Sequence, residues 1–399
     1  MFIYVLWPPG NGPDGAAGDT FRKARKELSD KQGRCTMKLL VEQVRALHRL
    51  EPANRDHLAA LRVAISVAVP SLLLLAAGHT DLIMYAVFGA LTGMYGRSEP
   101  HQLRLRHQAQ AAVVLLGGVA VGLFLSVNHL HSWWLVAVEA VLAGVGSVFA
   151  DRVRLKPNGP FFGVLALGAC ASVPMEVPWQ VAMLIAAGSA AFSLLVGFGG
   201  WIRHRSWQRG AVRSAPAEQP AGRPELLMHA ARYVLAVGAA GTVGVLSGSG
   251  HPHWAMAAAA VPLAGADLPS SVRRGIHRIV GTFVGLAVTA AVIMPGPWSL
   301  AGLFPGRQAV LLALLVILFQ FTTELFMARH YGLAMVSFTP VILLMTQLAD
   351  PIDPAVLILE RGVETLVGAL VGIAVVVAVR RAGTRNPAVL FGFARRSRH

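Results

Sequence analysis

Twelve apolar runs, each close to the length that carries an α-helix across a hydrocarbon core, leave this chain little choice of architecture. A helix satisfies its own backbone polar groups in lipid, and the strand alternation of a membrane barrel is absent. The runs fall at 58–78, 81–96, 110–127, 133–150, 160–175, 178–201, 227–248, 252–267, 277–295, 308–324, 331–347 and 356–380. The second, fourth, fifth and eighth are short, which predicts tilted, extended or partly re-entrant segments. Only 14% of the 399 residues are charged, against roughly 25% in a soluble domain. The expected class is an all-α polytopic membrane protein of about twelve transmembrane helices.

The net charge of +15 raises the question of nucleic acid, and its distribution answers it. Arg307 stands alone in the odd-to-even loops, and Arg62, Arg232 and Arg361 lie inside apolar runs. Every other Lys and Arg falls in the tails or in the even-to-odd loops and their helix starts. That is the positive-inside pattern, which predicts an inner-membrane protein with both termini cytoplasmic and basic flanks facing anionic headgroups. Trp133, Trp134, Trp179, Trp254 and Trp298 lie near the opposite helix ends, where interfacial anchors are expected. Cys35 and Cys170 are far apart and imply neither a disulfide framework nor a thiolate metal site.

Residues 1–57 read as a cytoplasmic tail, irregular to residue 36 and then amphipathic over 37–50. A shift of 170 residues superimposes Arg62 on Arg232, Arg104 on Arg274 and His107 on His277 without a gap, so 58–201 and 227–380 read as two copies of one six-helix unit. An even number of helices per copy makes the repeats parallel, related by an axis along the membrane normal. The linker 202–226 and the tail 381–399 are basic. Inside the second copy, Arg278, Thr282 and Gly285 share their spacing with Arg361, Thr365 and Gly368, on the third and sixth helices of the unit. An inverted three-helix repeat would place them so. Gly281 and Gly285, Gly368 and Gly372, and Gly118 and Gly122 are four apart, the spacing for close helix approach.

Intramembrane charges are costly and therefore informative. Arg62 and Arg232 lie near the basic ends of the first helix of each copy, where they either snorkel to headgroups or flank a central anion path. Arg361 lies about 9 Å from the far end of the last helix and can pair with Glu364 on the same face, either as an internal fastener or as a cation that a substrate carboxylate would claim. Glu139, at a similar depth on the fourth helix, has no Lys or Arg in its own segment. It is either a proton-coupling group or a satisfied polar residue. Asp267 and Glu324 fall near basic ends, where solvation is expected. His251-Pro252-His253 has too few ligands for zinc, and neither a phosphate-binding Gly-Lys-Ser/Thr loop nor a hydrolase motif is found.

The pattern formed by Arg232, Trp254, Arg273, Arg274, Arg278, Gly281, Thr282 and Gly285, then Arg361, Thr365 and Gly368, resembles the FUSC family of fusaric acid resistance and aromatic-acid-exporter-like membrane transporters. The resemblance covers about 150 residues of the second half. In the first half Gln108 stands opposite Arg278 and Ala111 opposite Gly281. The large cytoplasmic domain common in that family has no counterpart here.

The resemblance implies an exporter of organic, aromatic carboxylate anions, without cofactor, metal or enzymatic activity. The lack of an ATP motif together with the buried acids points to a secondary mechanism, either coupled to protons or not, and the two-copy chain to a monomer or homodimer. The candidate substrate-binding residues are Arg62, Arg232, Arg278, Thr282, Arg361 and Thr365, and the candidate proton-coupling acids are Glu139 and Glu364. A passive organic-anion channel is the nearest alternative. A non-transporting membrane scaffold or envelope-assembly factor is a different class.

Overall fold

The computed structural model describes residues 56–97, 99–130, 132–175, 177–199, 222–296, 300, 302–304 and 306–385. The amphipathic stretch 37–50, Cys35, most of the linker, Trp298 and the tail beyond 385 lie outside the described residues. All regular structure among the described residues is helical. The helices are α1 (Asp56–Ala76), α2 (Ile83–Ala90, flanked by 3-10 turns), α3 (His101–Val127), α4 (Trp133–Val153), α5 (Phe161–Ser172) and α6 (Trp179–Phe198) in the first copy. In the second copy they are α7 (Arg223–Leu246), α8 (Pro252–Leu263), α9 (Leu268–Ile293), α10 (Gln308–Met327), α11 (Tyr331–Ala349) and α12 (Pro354–Arg385). Nine are long and apolar enough to cross a membrane; α2, α5 and α8 are shorter. The fourth helix, expected to be short, runs for 21 residues.

Local chemistry repeats with the sequence. The helices α1 and α7 end 170 residues apart and are closed by Gly78 and Gly248, whose φ of +79° and +74° only glycine adopts without strain. In both, the glycine N–H and the next N–H turn back onto the last helical turn, at Leu75 and Leu74 in one copy and Val245 and Gly244 in the other.

Packing repeats as well. Within the copies α3 lies on α5 as α9 lies on α11, α2 on α6 as α8 on α12, and α1 on α6 as α7 on α12. Between the copies α4 packs along α7 and α10 along α1, while α5 meets α8 and α11 meets α2. Exchanging the copies converts each of these contacts into its partner, the signature of an isologous, twofold-like interface.

The helices at that interface are the most buried. Every residue of α2 and α8 is buried, as is α5 up to Ala171. Lipid supplies no hydrophobic drive for helix association, so contact area must come from close backbone approach. Glycines provide it: a Cβ at Gly281 would lie 2.5 Å from the Gly332 carbonyl oxygen, and one at Gly122 2.5 Å from that of Leu167. At Gly368 it would overlap the carbonyl of Ala255.

The ends of α1, α3, α7 and α9 that follow the tail and basic loops define a basic face. There the α1–α10 and α4–α7 pairs each carry a polar clasp. Arg97 bridges Asp56 of α1 at 3.5 Å and Glu324 of α10 at 3.3 Å, and also donates to the Glu324 carbonyl at 2.7 Å. Across the pseudo-axis His229 of α7 pairs with Asp151 of α4 at 2.6 Å and reaches the Leu263 carbonyl. Glu324 is 1% exposed, which corrects the expectation that it is solvated: α10 leans on α1, and Arg97 replaces water as its partner. Asp267 is exposed as expected. It caps α9 through Ser270, and those hydrogen bonds hold its carboxyl below the usual range.

Two predictions test this packing. Gly368→Val lowers the melting temperature of the solubilised protein by the equivalent of about 1–3 kcal/mol or more, the cost of overpacking. Gly117→Ala and Gly188→Ala, with nothing within 4 Å, leave it unchanged or slightly higher. Arg97→Ala strands the buried Glu324 carboxylate and costs about 3–5 kcal/mol, of which Arg97→Ala with Glu324→Gln regains a part, measured as a double-mutant cycle.

Candidate functional site

The two Arg-x-x-x-Thr units lie on α9 and α12, which pack against each other. Arg278 follows ten residues of α9, about 15 Å along the helix, and is fully buried. Its guanidinium stands 5.2 Å over the ring of Phe161, which the first copy contributes from the start of α5. One terminal nitrogen meets the Met335 sulfur at 2.9 Å, and the Tyr331 hydroxyl lies beside it. The Nε and the second terminal nitrogen have no hydrogen-bond partner among the described residues.

Arg361 is also fully buried, 5.2 Å over the ring of Trp254. His251 stacks on the same indole with ring centroids 4.2 Å apart and 8° between planes, and its Nδ1 is bonded to Glu360. None of the three guanidinium nitrogens of Arg361 has a hydrogen-bond partner among the described residues. The expected direct pair with Glu364 is not formed. Glu364 instead accepts from the Ser249 hydroxyl and the Ala255 amide at the start of α8, and acts on Arg361 only through space. Trp254, expected as an interfacial anchor, is 1% exposed and serves as the platform for Arg361, because α8 is enclosed by its neighbours. Trp133, Trp134 and Trp179 are at least half exposed, as anchors should be.

Thr282 and Thr365 sit one turn beyond their arginines, fully buried, with hydroxyls that lack a partner among the described residues. Elsewhere in the second copy, Thr289, Thr323, Thr339 and Thr346 all donate to the carbonyl four residues back, while in the first copy the buried Thr92 hydroxyl is also without a partner among the described residues. Unpaired buried donors are expensive, and a cluster of them on two touching helices calls for a reason. Arg278 and Arg361 also lie within each other's electrostatic reach, so a negative group between them would relieve mutual repulsion. Beside Arg278 the rings of Phe161, Phe162, Phe338 and Tyr95 form a cluster of edge-to-face and tilted contacts with centroids 4.9–6.4 Å apart, drawn from both copies.

The first copy lacks this chemistry. Gln108, opposite Arg278 in the repeat, is buried and donates to the Gly93 carbonyl at 3.3 Å. Arg62 and Arg232 are half-buried near the basic face. Arg62 donates to the Arg97 carbonyl at 2.9 Å, and Arg232 has Arg380 and His229 as charged neighbours. Their helices pack on opposite sides of the pseudo-axis, α1 on α10 and α7 on α4, and neither arginine joins the buried pair.

At the far face a cavity of about 860 Å³ opens between the ends of α3 to α8, lined by Ser126, Ser132, Ser172, Trp179, Ser249 and Pro252 among others. Ser249 connects it to Glu364, and Ser172 to the buried His253 at 2.9 Å. Glu139 is fully buried beneath it, and neither of its oxygens has a hydrogen-bond partner among the described residues. His253, the Arg97 clasp and the Trp254 platform escaped sequence reasoning, because each depends on contacts between segments far apart in the chain. Among the described residues no cluster of three or more His, Cys, Asp or Glu could hold a metal.

No curated protein and no solved structure matches this chain. A family model described as fusaric acid resistance protein-like matches residues 236–375, from the middle of α7 into α12. That stretch contains both arginines, both threonines and every glycine of the second copy's close contacts. Residues 236–375 are thus similar to the fusaric acid resistance protein-like family, and the protein that carries them is a multi-pass membrane protein.

Proposed function

We propose that the protein is a secondary transporter that exports organic, aromatic carboxylate anions across the inner membrane, with the basic face and both termini in the cytoplasm. The observation that carries this reading is the pair of fully buried arginines, Arg278 and Arg361, seated on aromatic faces with N–H donors left unpaired among the described residues. A guanidinium offers a planar fork that a carboxylate fills bidentately, and Thr282 and Thr365 add hydroxyl donors one turn away. Glu364 is already held by Ser249 and Ala255, so an incoming anion need not displace it from Arg361. The Phe161, Phe162 and Phe338 cluster next to Arg278 would receive the apolar ring of such a substrate.

In this reading the basic loops, with Arg62 and Arg232 just inside them, raise the local concentration of anions at the cytoplasmic entrance and sit among anionic headgroups. Glu139 and Glu364 are the acids available for proton coupling. The duplicated chain supplies both halves of the pathway, so a monomer suffices.

The test is uptake of labelled 4-hydroxybenzoate into inside-out vesicles, with and without an imposed proton gradient. Accumulation that depends on the gradient is expected. Arg278→Gln or Arg361→Gln should raise KM by roughly 10- to 150-fold, the loss of a hydrogen bond to a charged group. Thr282→Val should raise it by only about 2- to 10-fold. Equilibration indifferent to the gradient would make the protein a channel, and no flux across a panel of aromatic acids would leave it a scaffold.

A further inference from the structure

We propose that the far-face cavity is the port through which protons enter the transporter, and that His253 and Glu139 beneath it form the loading site. The use of that proton in transport rests on the reading above; the site itself does not.

The cavity floor reaches the buried groups through a defined contact. Ser172 lines the cavity, and its hydroxyl is bonded to His253 Nδ1 at 2.9 Å and donates to the Gly168 carbonyl at 2.9 Å. A hydroxyl has one proton to give, so the imidazole Nδ1 is the donor in this pair and Nε2 is the basic nitrogen of the ring. His253 is 2% exposed, and Glu139 is fully enclosed.

Gly168 brings the two together. A Cβ at this position would overlap the Cβ of His253 and stand 3.1 Å from Glu139 Oε2, so imidazole and carboxylate converge on a place on α5 that carries no side chain. Both carboxylate oxygens lack a hydrogen-bond partner among the described residues, leaving them free to accept a proton from the ring. The transfer balances as a relay that ends in this tautomer: the Ser172 hydroxyl gives its proton to Nδ1 and regains one from the cavity, the Nε2 proton passes to the Glu139 carboxylate, and the neutral ring is left protonated on Nδ1.

The surroundings restrict the traffic to these groups. The charged or titratable groups facing His253 are His251 on its own segment, with ring centroids 5.8 Å apart, Arg361 from α12, and Glu139 from α4; α5 contributes Ser172 and Gly168, and the Trp254 ring packs edge-on. Arg361 therefore touches both halves of the chemistry, as a cation of the anion site and as an electrostatic neighbour of the proton relay. Occupancy of one site is felt at the other.

Infrared difference spectroscopy on the full chain in lipid, as the pH is stepped, reads the site without any substrate. A protonated-carboxyl C=O band that titrates in the wild type should vanish in Glu139→Gln, and its midpoint should shift in His253→Gln. Ser172→Ala, a milder change at the cavity floor, should shift the same band in the same direction. In transport assays, Glu139→Gln should lose gradient-driven accumulation down to the level of empty vesicles, and its residual substrate exchange should no longer vary with pH. A band unchanged in Glu139→Gln, or one in the wild type that ignores pH, would sink the loading site even if transport is robust. A titrating Glu139 band in a protein that moves no substrate would instead retire the transporter reading and leave the site standing.

Discussion

Holding two guanidinium groups out of water among apolar helices is the most demanding arrangement in this structure, and much of the second half is organised around it. Water is replaced by weaker partners: the faces of Phe161 and Trp254, the Met335 sulfur, and the through-space charge of Glu364. Cation–π contacts of this kind are worth about 2 kcal/mol or more once desolvated, less than the penalty for a buried charge. A purely structural arginine would have its N–H groups satisfied, as Arg104 does with the carbonyls of Gly96, Glu99 and Gly197. The contrast between Arg104 and Arg361 within one protein separates a cation that ties loops together from one that keeps its donors available.

The duplication explains how such a site is supported. Each copy repeats the same helix packing, down to the glycine that closes its first helix, and the two meet through reciprocal contacts. The buried arginine pair belongs to the second copy alone. The first copy supplies what the pair rests against or communicates with: the Phe161 ring, Glu139, and most of the far-face cavity wall. In the reading proposed above, a symmetric scaffold with one charged half would have a single anion site rather than two, and the drift of Gln108 away from arginine reads as division of labour between halves.

How far the sequence disclosed this depended on the range of each interaction. Apolar run length located all twelve helices, and glycine spacing found the close contacts, because both are set within one segment. The Arg-x-x-x-Thr units were visible for the same reason. Glu324 and Trp254 were misplaced because their surroundings are built by α1, Arg97 and α12, which no local pattern names. Arg361 and Glu364 have the spacing of a pair, yet Ser249 and the Ala255 amide claim the carboxylate first. Spacing says which groups can meet. It does not say which competing partner is nearer.

The two faces of the bundle also differ in a way that bears on mechanism. At the basic face α1 is fastened to α10 through Arg97 and α7 to α4 through His229, so these two inter-copy helix pairs are clasped. At the far face a cavity opens between the ends of α3 to α8, and Ser249 and Ser172 in its lining link it to Glu364 and His253. For the transporter proposed above, this is an arrangement closed towards the cytoplasm and open outward. Rocking the halves to the opposite state would have to part the Arg97 and His229 clasps, while the glycine-packed inner helices, joined by backbone contact, would move as rigid units. In that reading, a clasp that includes a histidine would give the motion a dependence on cytoplasmic pH. It would do so at the opposite end of the bundle from the cavity, where protons would enter.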